Sequence, residues 1–274
     1  MDAPITAPPP GLVVAITGAG QGIGQGIARA FAAQGARLVL SDLNADTAEA
    51  TAAELRAQGA EAHALRADVR QADDCAAQVA QAVQRFGRLD LMVCNAGIVQ
   101  VRPLLELSAD DWQQMLAVNV TGCFLTLQAA GRQMRTQTPL APGRPAGKIV
   151  TLASIAGRPG AGPIAAVLGS YRASKAAVIS LTQSAAIALA PQVTVNAICP
   201  GLVDTDMWRV IDRDLGALQG LPPGEAWRTR TAAVPLGRPQ STADVAGLAL
   251  YLASPAADYM TGQSINIDGG LIMS

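Results

Sequence analysis

The 274-residue chain contains one histidine, His63. A single imidazole provides for neither a His-based metal centre nor a Ser-His-Asp triad, so no metal site is expected. His63 lies in an alternating, strand-like stretch and reads as structural. Cysteine is also scarce. Cys75, Cys94, Cys123 and Cys199 form no CxxC pair, and each sits in an apolar or helical context. They read as free buried thiols of a reducing cytoplasm. Charge is sparse, at 15% of residues, and balanced, with 20 Lys and Arg against 21 Asp and Glu. No basic run is present to neutralise phosphates, which argues against nucleic acid as a partner. No apolar run reaches membrane-spanning length, so no membrane partner is expected. The P-loop pattern GxxxxGK followed by Ser or Thr is missing, which disfavours phosphoryl transfer. Residues 4–10 hold four prolines, Pro4, Pro8, Pro9 and Pro10, without the basic and apolar regions of a signal peptide. Residues 1–10 read as a flexible leader of a cytoplasmic protein.

What is present is apolar residue, half the chain, in a regular rhythm. Strand-like runs at Leu12–Thr17, Arg37–Ser41, Ala62–Leu65, Leu89–Cys94, Lys148–Ala153, Val193–Ile198 and Ser264–Ile267 alternate with helical stretches. The helices are expected at Gly26–Ala33, Thr47–Gln58, Asp73–Arg85, Asp110–Met134 with Ser108 as N-cap, Ser174–Ala190 and Thr242–Ala253. Such alternation predicts a parallel sheet covered on both faces, a three-layer α/β fold. No repeat or linker interrupts it, and one domain is expected over residues 11–274. Thr136–Gly147, rich in Pro and Gly, reads as a surface loop. Gly201–Gln240 is too long for a plain connection. It contains Trp208 and Trp227 and is expected to act as a substrate lid.

The first strand runs into TGAGQGIG, residues 17–24. Gly18, Gly22 and Gly24 are spaced G-x-x-x-G-x-G, with Gln21 and Ile23 between them. Glycines let the backbone turn sharply and approach a pyrophosphate, and the helix N-terminus then offers free N–H groups. This placement predicts a Rossmann-type, doubly wound sheet. Strand two ends in Asp42-Leu43. An acid there can accept both adenosine ribose hydroxyls and repel a 2′-phosphate, while a helix-capping role fits Asp42 alone equally well. No arginine follows in that turn, and Gln21 stands where a basic residue could meet the phosphate. NAD is therefore expected over NADP. Asp68-Val69 and Asn95-Ala96-Gly97 follow the third and fourth strands, at the sheet edge where ligands bind.

Ser154 ends the fifth strand. Tyr171 and Lys175 stand four apart on the next helix and share a face. A free phenol has a pKa of about 10, and an ammonium beside it favours the phenolate. A shift of roughly two or three units would make Tyr171 a usable base for an alcohol proton.

With these motifs the chain resembles the short-chain dehydrogenase/reductase family in its single-domain branch. The matching elements are TGAGQGIG, Asp42, Asp68-Val69, Asn95-Ala96-Gly97, Asn119 in VNVTG, Ser154, Tyr171-x-x-x-Lys175, Pro200-Gly201 with Val203 and Thr205, and TGQSINIDGG near the C-terminus. The resemblance implies NAD-dependent interconversion of a secondary alcohol and its ketone. Tyr171 would be the acid/base. Lys175 would hold the nicotinamide ribose and lower the tyrosine pKa, and Ser154 would position the substrate oxygen. Asn119 would hold a kink and a water in its helix, completing a proton relay with Lys175. Pro200, Gly201, Val203 and Thr205 would hold the nicotinamide end, and Asp68 and Val69 would flank the adenine. Two departures stand out. The Ser–Tyr segment, Ile155 to Ser170, is longer than usual, and Cys94 replaces the first asparagine of the usual Asn-Asn-Ala-Gly. Ile198–Asp212 is similar to acetoin reductases, 2,3-butanediol dehydrogenases and sorbitol-type polyol dehydrogenases. A small diol, polyol or related alcohol is the expected substrate, walled by Ala156, Met207 and Trp208. A 3-oxoacyl-thioester reductase and a non-catalytic dinucleotide-binding sensor are the alternatives. The family is commonly tetrameric, so a homo-oligomer is expected.

Overall fold

The computed structural model describes residues 7–159 and 162–273. Most of the expected leader lies outside these residues; of the remainder, Pro8 is buried. Seven strands form one sheet: β1 (Val13–Thr17), β2 (Arg37–Asp42), β3 (Ala62–Arg66), β4 (Leu91–Cys94), β5 (Gly147–Leu152), β6 (Val193–Pro200) and β7 (Ser264–Ile267). Their order is β3-β2-β1-β4-β5-β6-β7, with every pair parallel. The central strands β1, β4, β5 and β6 are buried along their whole length because both faces are covered. Alternate residues of β1 serve opposite cores. Val14 and Ile16 pack with Ile27, Phe31 and Leu55, whereas Val13 and Ala15 pack with Val79, Leu127 and Val178.

The helices are α1 (Gly22–Ala33), α2 (Ala45–Ala57), α3 (Ala72–Phe86), α4 (Ala109–Leu116), α5 (Gly122–Met134), α6 (Gly169–Leu189), α7 (Asp206–Gln219), α8 (Glu225–Thr231) and α9 (Thr242–Ala253). α1, α2 and α9 supply the first core, and α3, α5 and α6 the second. Strand order reverses between β1 and β4, and the C-terminal ends of both open onto the crevice where such sheets bind ligands.

Several boundaries shift by a few residues, and three differences from the sequence-based expectation bear on the site. The single helix expected over Asp110–Met134 is two, joined by a π-helical turn at Ala117–Thr121 that carries Asn119. Such single π-helical turns inside an α-helix are rare and tend to fall at functional sites. Ser108 caps α4 in a capping box with Asp111, as expected of an N-cap. α6 begins at Gly169 rather than Ser174, which puts Tyr171 and Lys175 in its first two turns. Finally, residues 201–240 fold into α7 and α8 on a closed base. The Gln240 side chain accepts from Gly201 N–H (3.0 Å), its N–H donates to the Leu202 carbonyl (2.9 Å), and its carbonyl accepts from Asp204 N–H (2.9 Å).

Candidate active site

The turn after β1 is built for a close approach of its backbone to a ligand. Gly18 and Gly22 have φ of 63° and 57°, in the left-handed region. A Cβ on Gly24 would collide with the Gly18 carbonyl oxygen, so the third glycine is needed at 24 although Ile23 precedes it. The N-terminus of α1 is uncapped: Gln21 makes no capping bond, and no acid stands in the first turn. The first-turn N–H groups of α1 therefore remain free donors beside the cavity, as a pyrophosphate requires. The residues present fit a dinucleotide.

Asp42 closes this turn. Its Oδ2 accepts from Gly20 N–H at 3.0 Å and its Oδ1 from Asn44 N–H at 3.1 Å. Asn44, not Asp42, caps α2, which removes the capping explanation for the acid. Two basic residues escaped the sequence reading of this end. Arg66 is the register neighbour of Asp42 on β3, and Arg70 lines the cavity. Arg70 is held by Asp68 through Nη2 to Oδ2 at 2.6 Å, and this partner keeps the Asp68 carboxyl below its ordinary range.

The crevice floor is clamped by side chains. Thr17 Oγ1 accepts from the N–H groups of Asn95 (3.0 Å) and Ala96 (3.1 Å). Asn95 Nδ2 donates to the carbonyls of Thr17 and Gly18, both at 2.9 Å. Asn119 ties three elements together. Its Oδ1 accepts from Ile98 N–H (2.8 Å), and its Nδ2 donates to the Ile98 carbonyl and to Ser174 Oγ, each at 3.0 Å. Ser174 in turn donates to the Tyr171 carbonyl at 2.7 Å. Ser174 was not singled out from sequence. Its position next to Lys175 on a helix, where a hydroxyl can reach the carbonyl three residues back, was the available signal.

Ser154, Tyr171 and Lys175 meet on one wall. Ser154 Oγ accepts from the Ala156 N–H at 3.1 Å. Lys175 Nζ sits 5.7 Å from the Tyr171 ring centroid and donates to the Leu152 carbonyl at 2.7 Å. Burial lowers the Lys175 pKa to about 8. For Tyr171 the expected depression by Lys175 does not emerge. Burial pushes the phenol up, the Ser154 hydroxyl draws it partly back, and Cys199 adds a smaller upward push. Desolvation penalises the phenolate, and the ammonium spends a hydrogen bond on Leu152 rather than on the phenol oxygen.

One cavity of about 880 Å³ joins these parts. Every site residue expected from sequence lines it except Gly24 and Asn119, which stand behind its wall. Leu43 lines it next to Asp42 and is 55% exposed, an apolar surface open to the cavity. Ala156, Met207 and Trp208 line the other half. That half is completed by residues the sequence reading had not named. Ile164 and Leu168 come from the lengthened Ser–Tyr segment, of which residues 160–161 lie outside the described residues. Leu215, Ala226 and Arg230 come from α7 and α8, and Leu271 and Ile272 from the C-terminal loop. Asp268 shapes that loop by accepting from the N–H groups of Gly270 (3.0 Å) and Ile272 (2.7 Å). His63 is remote from this lining, on β3, and the four cysteines are buried free thiols.

Comparison with known proteins agrees with this geometry. The family model described as enoyl-(acyl carrier protein) reductase matches residues 18–272. A sorbitol dehydrogenase of Cereibacter sphaeroides is 41% identical over 265 residues, covering 96% of this chain and 98% of that protein. A diacetyl reductase, (S)-acetoin forming, of Staphylococcus epidermidis is 40% identical, covering 94% and 97%. Among solved structures, a short-chain type dehydrogenase/reductase from Mycobacterium marinum superposes with a TM-score of 0.83 at 38% identity, covering 96% of each chain.

Proposed function

Because the chain belongs to the short-chain dehydrogenase/reductase family, whose members here include secondary-alcohol oxidoreductases, we propose that it interconverts a secondary alcohol and its ketone with NAD, using Tyr171 as the acid/base. The observation that carries this reading is one cavity with free helix N–H donors and Asp42 at one end and Ser154, Tyr171 and Lys175 on its wall. When bound, the nicotinamide takes or supplies the hydride.

The chain's own residues do the rest. The α1 N-terminus and Gly18–Gly24 receive the diphosphate, and Asp42 receives the adenosine ribose hydroxyls. Lys175 holds the nicotinamide ribose, with Pro200, Gly201, Val203 and Thr205 at the nicotinamide end. Ser154 and Tyr171 hold the substrate oxygen. A raised phenol pKa keeps Tyr171 protonated at neutral pH, ready to hand a proton to a ketone oxygen. In the oxidative direction Tyr171 must first lose that proton. Asn119 acts as a positioning residue, fixing the backbone of Ile98 and, through Ser174, that of Tyr171.

Carboxylate and paired arginine favour NAD over NADP: Asp42 would repel a 2′-phosphate, and Arg70 is engaged by Asp68. The lining beyond Tyr171 is mainly apolar. This favours a diol or hydroxyketone with an aliphatic flank over a substrate hydroxylated at every carbon, whose hydroxyls would lose their water partners. The test is cofactor reduction across diols, polyols and simple secondary alcohols, with NAD and NADP in parallel. Turnover of one alcohol class with NAD supports the reading. Greater activity with NADPH and an acetoacetyl thioester would replace it with thioester reduction. Tight NADH binding without turnover of any substrate would point to a sensor.

A further inference from the structure

Four cationic side chains line the cavity: Arg70, Arg172, Lys175 and Arg230. Three are occupied by the protein itself. Asp68 holds Arg70, the Arg158 carbonyl accepts from Arg172 at 3.1 Å, and the Leu152 carbonyl accepts from Lys175 at 2.7 Å. Arg230 has no carboxylate or side-chain hydrogen-bond partner among the described residues, and burial is the one influence acting on its pKa, pushing it down. Nor is an acid of the lining free to serve it. Asp42 is taken by two backbone N–H groups, Asp68 by Arg70 and Asp206 by Arg209.

Arg230 is held facing inward. Ala226, Thr229, Arg230 and Ala233 all line the cavity, at the three- and four-residue spacing of one helical face. α8 is fastened to α7 by Asp212, which accepts from Gly224 N–H (2.7 Å) and Trp227 N–H (2.8 Å). The Trp208 and Trp227 rings pack at 5.2 Å between centroids. A half-buried guanidinium without a counter-charge is costly in the protein alone and becomes favourable when an anion arrives. α7, α8 and the loop between them also give the cavity Met207, Ile211, Leu215, Leu221 and Ala226, all apolar.

We propose that Arg230 is the subsite for an anionic group on the substrate, so that the secondary alcohol, diol or hydroxyketone turned over here also carries a carboxylate or phosphate, with an aliphatic stretch between the reacting carbon and the anion. This inference rests on reading the cavity as an alcohol–ketone oxidoreductase site. Arg230 pairs with the anion while Ser154 and Tyr171 take the reacting oxygen. A carboxylate and a phosphate monoester offer the same chemistry to a guanidinium, and both enter the test.

The experiment measures kcat/KM with NADH for aliphatic oxo-carboxylates of increasing chain length, each paired with its uncharged methyl ester, and for hydroxyketone phosphates paired with the free hydroxyketones. Wild type, Arg230→Met and Arg230→Lys are compared. The expected result is that wild type prefers the charged partner in at least one pair. Arg230→Met should lower that preference by about 10- to 100-fold, through KM rather than kcat, and Arg230→Lys should restore most of it. The preferred pair identifies the anion. A wild type that discriminates in no pair, or a preference that survives in Arg230→Met, overturns the proposal. Binding of hexanoate, followed by calorimetry, separates the two layers of inference. If no carbonyl compound is turned over but hexanoate binds wild type and not Arg230→Met, the oxidoreductase reading falls and the anion subsite stands. If hexanoate binds neither protein and nothing is turned over, both fall. NADH affinity in each variant checks that the fold survives, since the adenosine end lies apart from α8.

Discussion

Asp42→Asn separates the cofactor-selecting role of this carboxylate from its structural one. The carboxylate has two oxygens on two backbone donors, Gly20 N–H and Asn44 N–H. An asparagine keeps the shape but offers one acceptor oxygen, so one of the two N–H groups loses its partner. At this partly exposed position the loss is about 1 kcal/mol, or a few degrees in Tm. The effect on cofactor choice is larger. Hydrogen bonds to a charged acceptor contribute about 1.5–3 kcal/mol, against about 1 for a neutral one, so kcat/KM for NAD should fall roughly 2- to 30-fold. A 2′-phosphate about 4 Å from the carboxylate would suffer up to ~4 kcal/mol of repulsion per unit charge at an effective dielectric of about 20, less once salt and solvent screen it. Removing the charge therefore raises kcat/KM for NADP by roughly 10- to 100-fold. Arg66, opposite Asp42 in the sheet register, is the cation that would then face the phosphate, since Asp68 holds Arg70. Steady-state rates with both cofactors and one alcohol, together with a melting curve, read all three quantities. The NAD-to-NADP ratio should fall by roughly 20- to 3,000-fold. A ratio that stays put while both activities collapse and Tm drops sharply would show that Asp42 serves to hold the glycine turn and does not select the cofactor.

Tyr171→Phe should cut turnover by about 10²- to 10⁴-fold while leaving NADH binding in place; retained turnover on every substrate would refute the acid/base role. In the pH profile, alcohol oxidation should speed up above neutrality, because the raised phenol pKa means that the base form gains population only as pH climbs. Lys175 carries its charge below about 8 and loses it above, so cofactor KM should rise on the same alkaline limb. Initial rates against pH in both directions check these signs, and an oxidative rate that peaks in acid would contradict them. Ser174→Ala breaks the bridge between Asn119 and the Tyr171 backbone. It should lower kcat several-fold, with a smaller change in NADH affinity. Light scattering should report a multiple of the 28.0 kDa chain, since Leu105, Trp112 and Phe124 leave apolar surface exposed around α4 and α5.

The parts of the site that were legible in the sequence are those fixed by backbone geometry at strand ends. A glycine turn between an apolar run and a helix has few conformations, and Gly18–Gly24, Asp42, Asn95 and Pro200 all fall where parallel strands stop. The strand runs were readable for the same reason, since burial on both faces keeps them mostly apolar, with only single polar residues such as Lys148 and Asn196 among them. The tyrosine–lysine pair was legible as a spacing, but its electrostatics were not. Spacing four apart says that two side chains share a face. It does not say that Leu152 offers its carbonyl to the ammonium or that burial outweighs attraction at the phenol.

The substrate half was the least legible, and the reason is geometric. A residue of α7 or α8 becomes part of the site only through the way the two helices sit on each other, and that depends on contacts among residues with no periodic signature. Asp212 fastens α8 from α7 across 12 and 15 positions, to Gly224 and Trp227, and in sequence it is one acid among many. Once it is placed, the helical period does the rest. Trp227 meets Trp208, and Arg230, three residues on, turns into the cavity. Asp212→Ala should therefore affect substrates and cofactor unequally. Releasing the α8 N-terminus loosens the wall that carries Ala226 and Arg230, raising KM for the alcohol several-fold. The cofactor end, built on β1 and β2, keeps its affinity. Equal losses of both would mean that α7 and α8 move with the glycine turn as one body, and the division of the cavity into a sheet-built cofactor half and a helix-built substrate half would have to be abandoned.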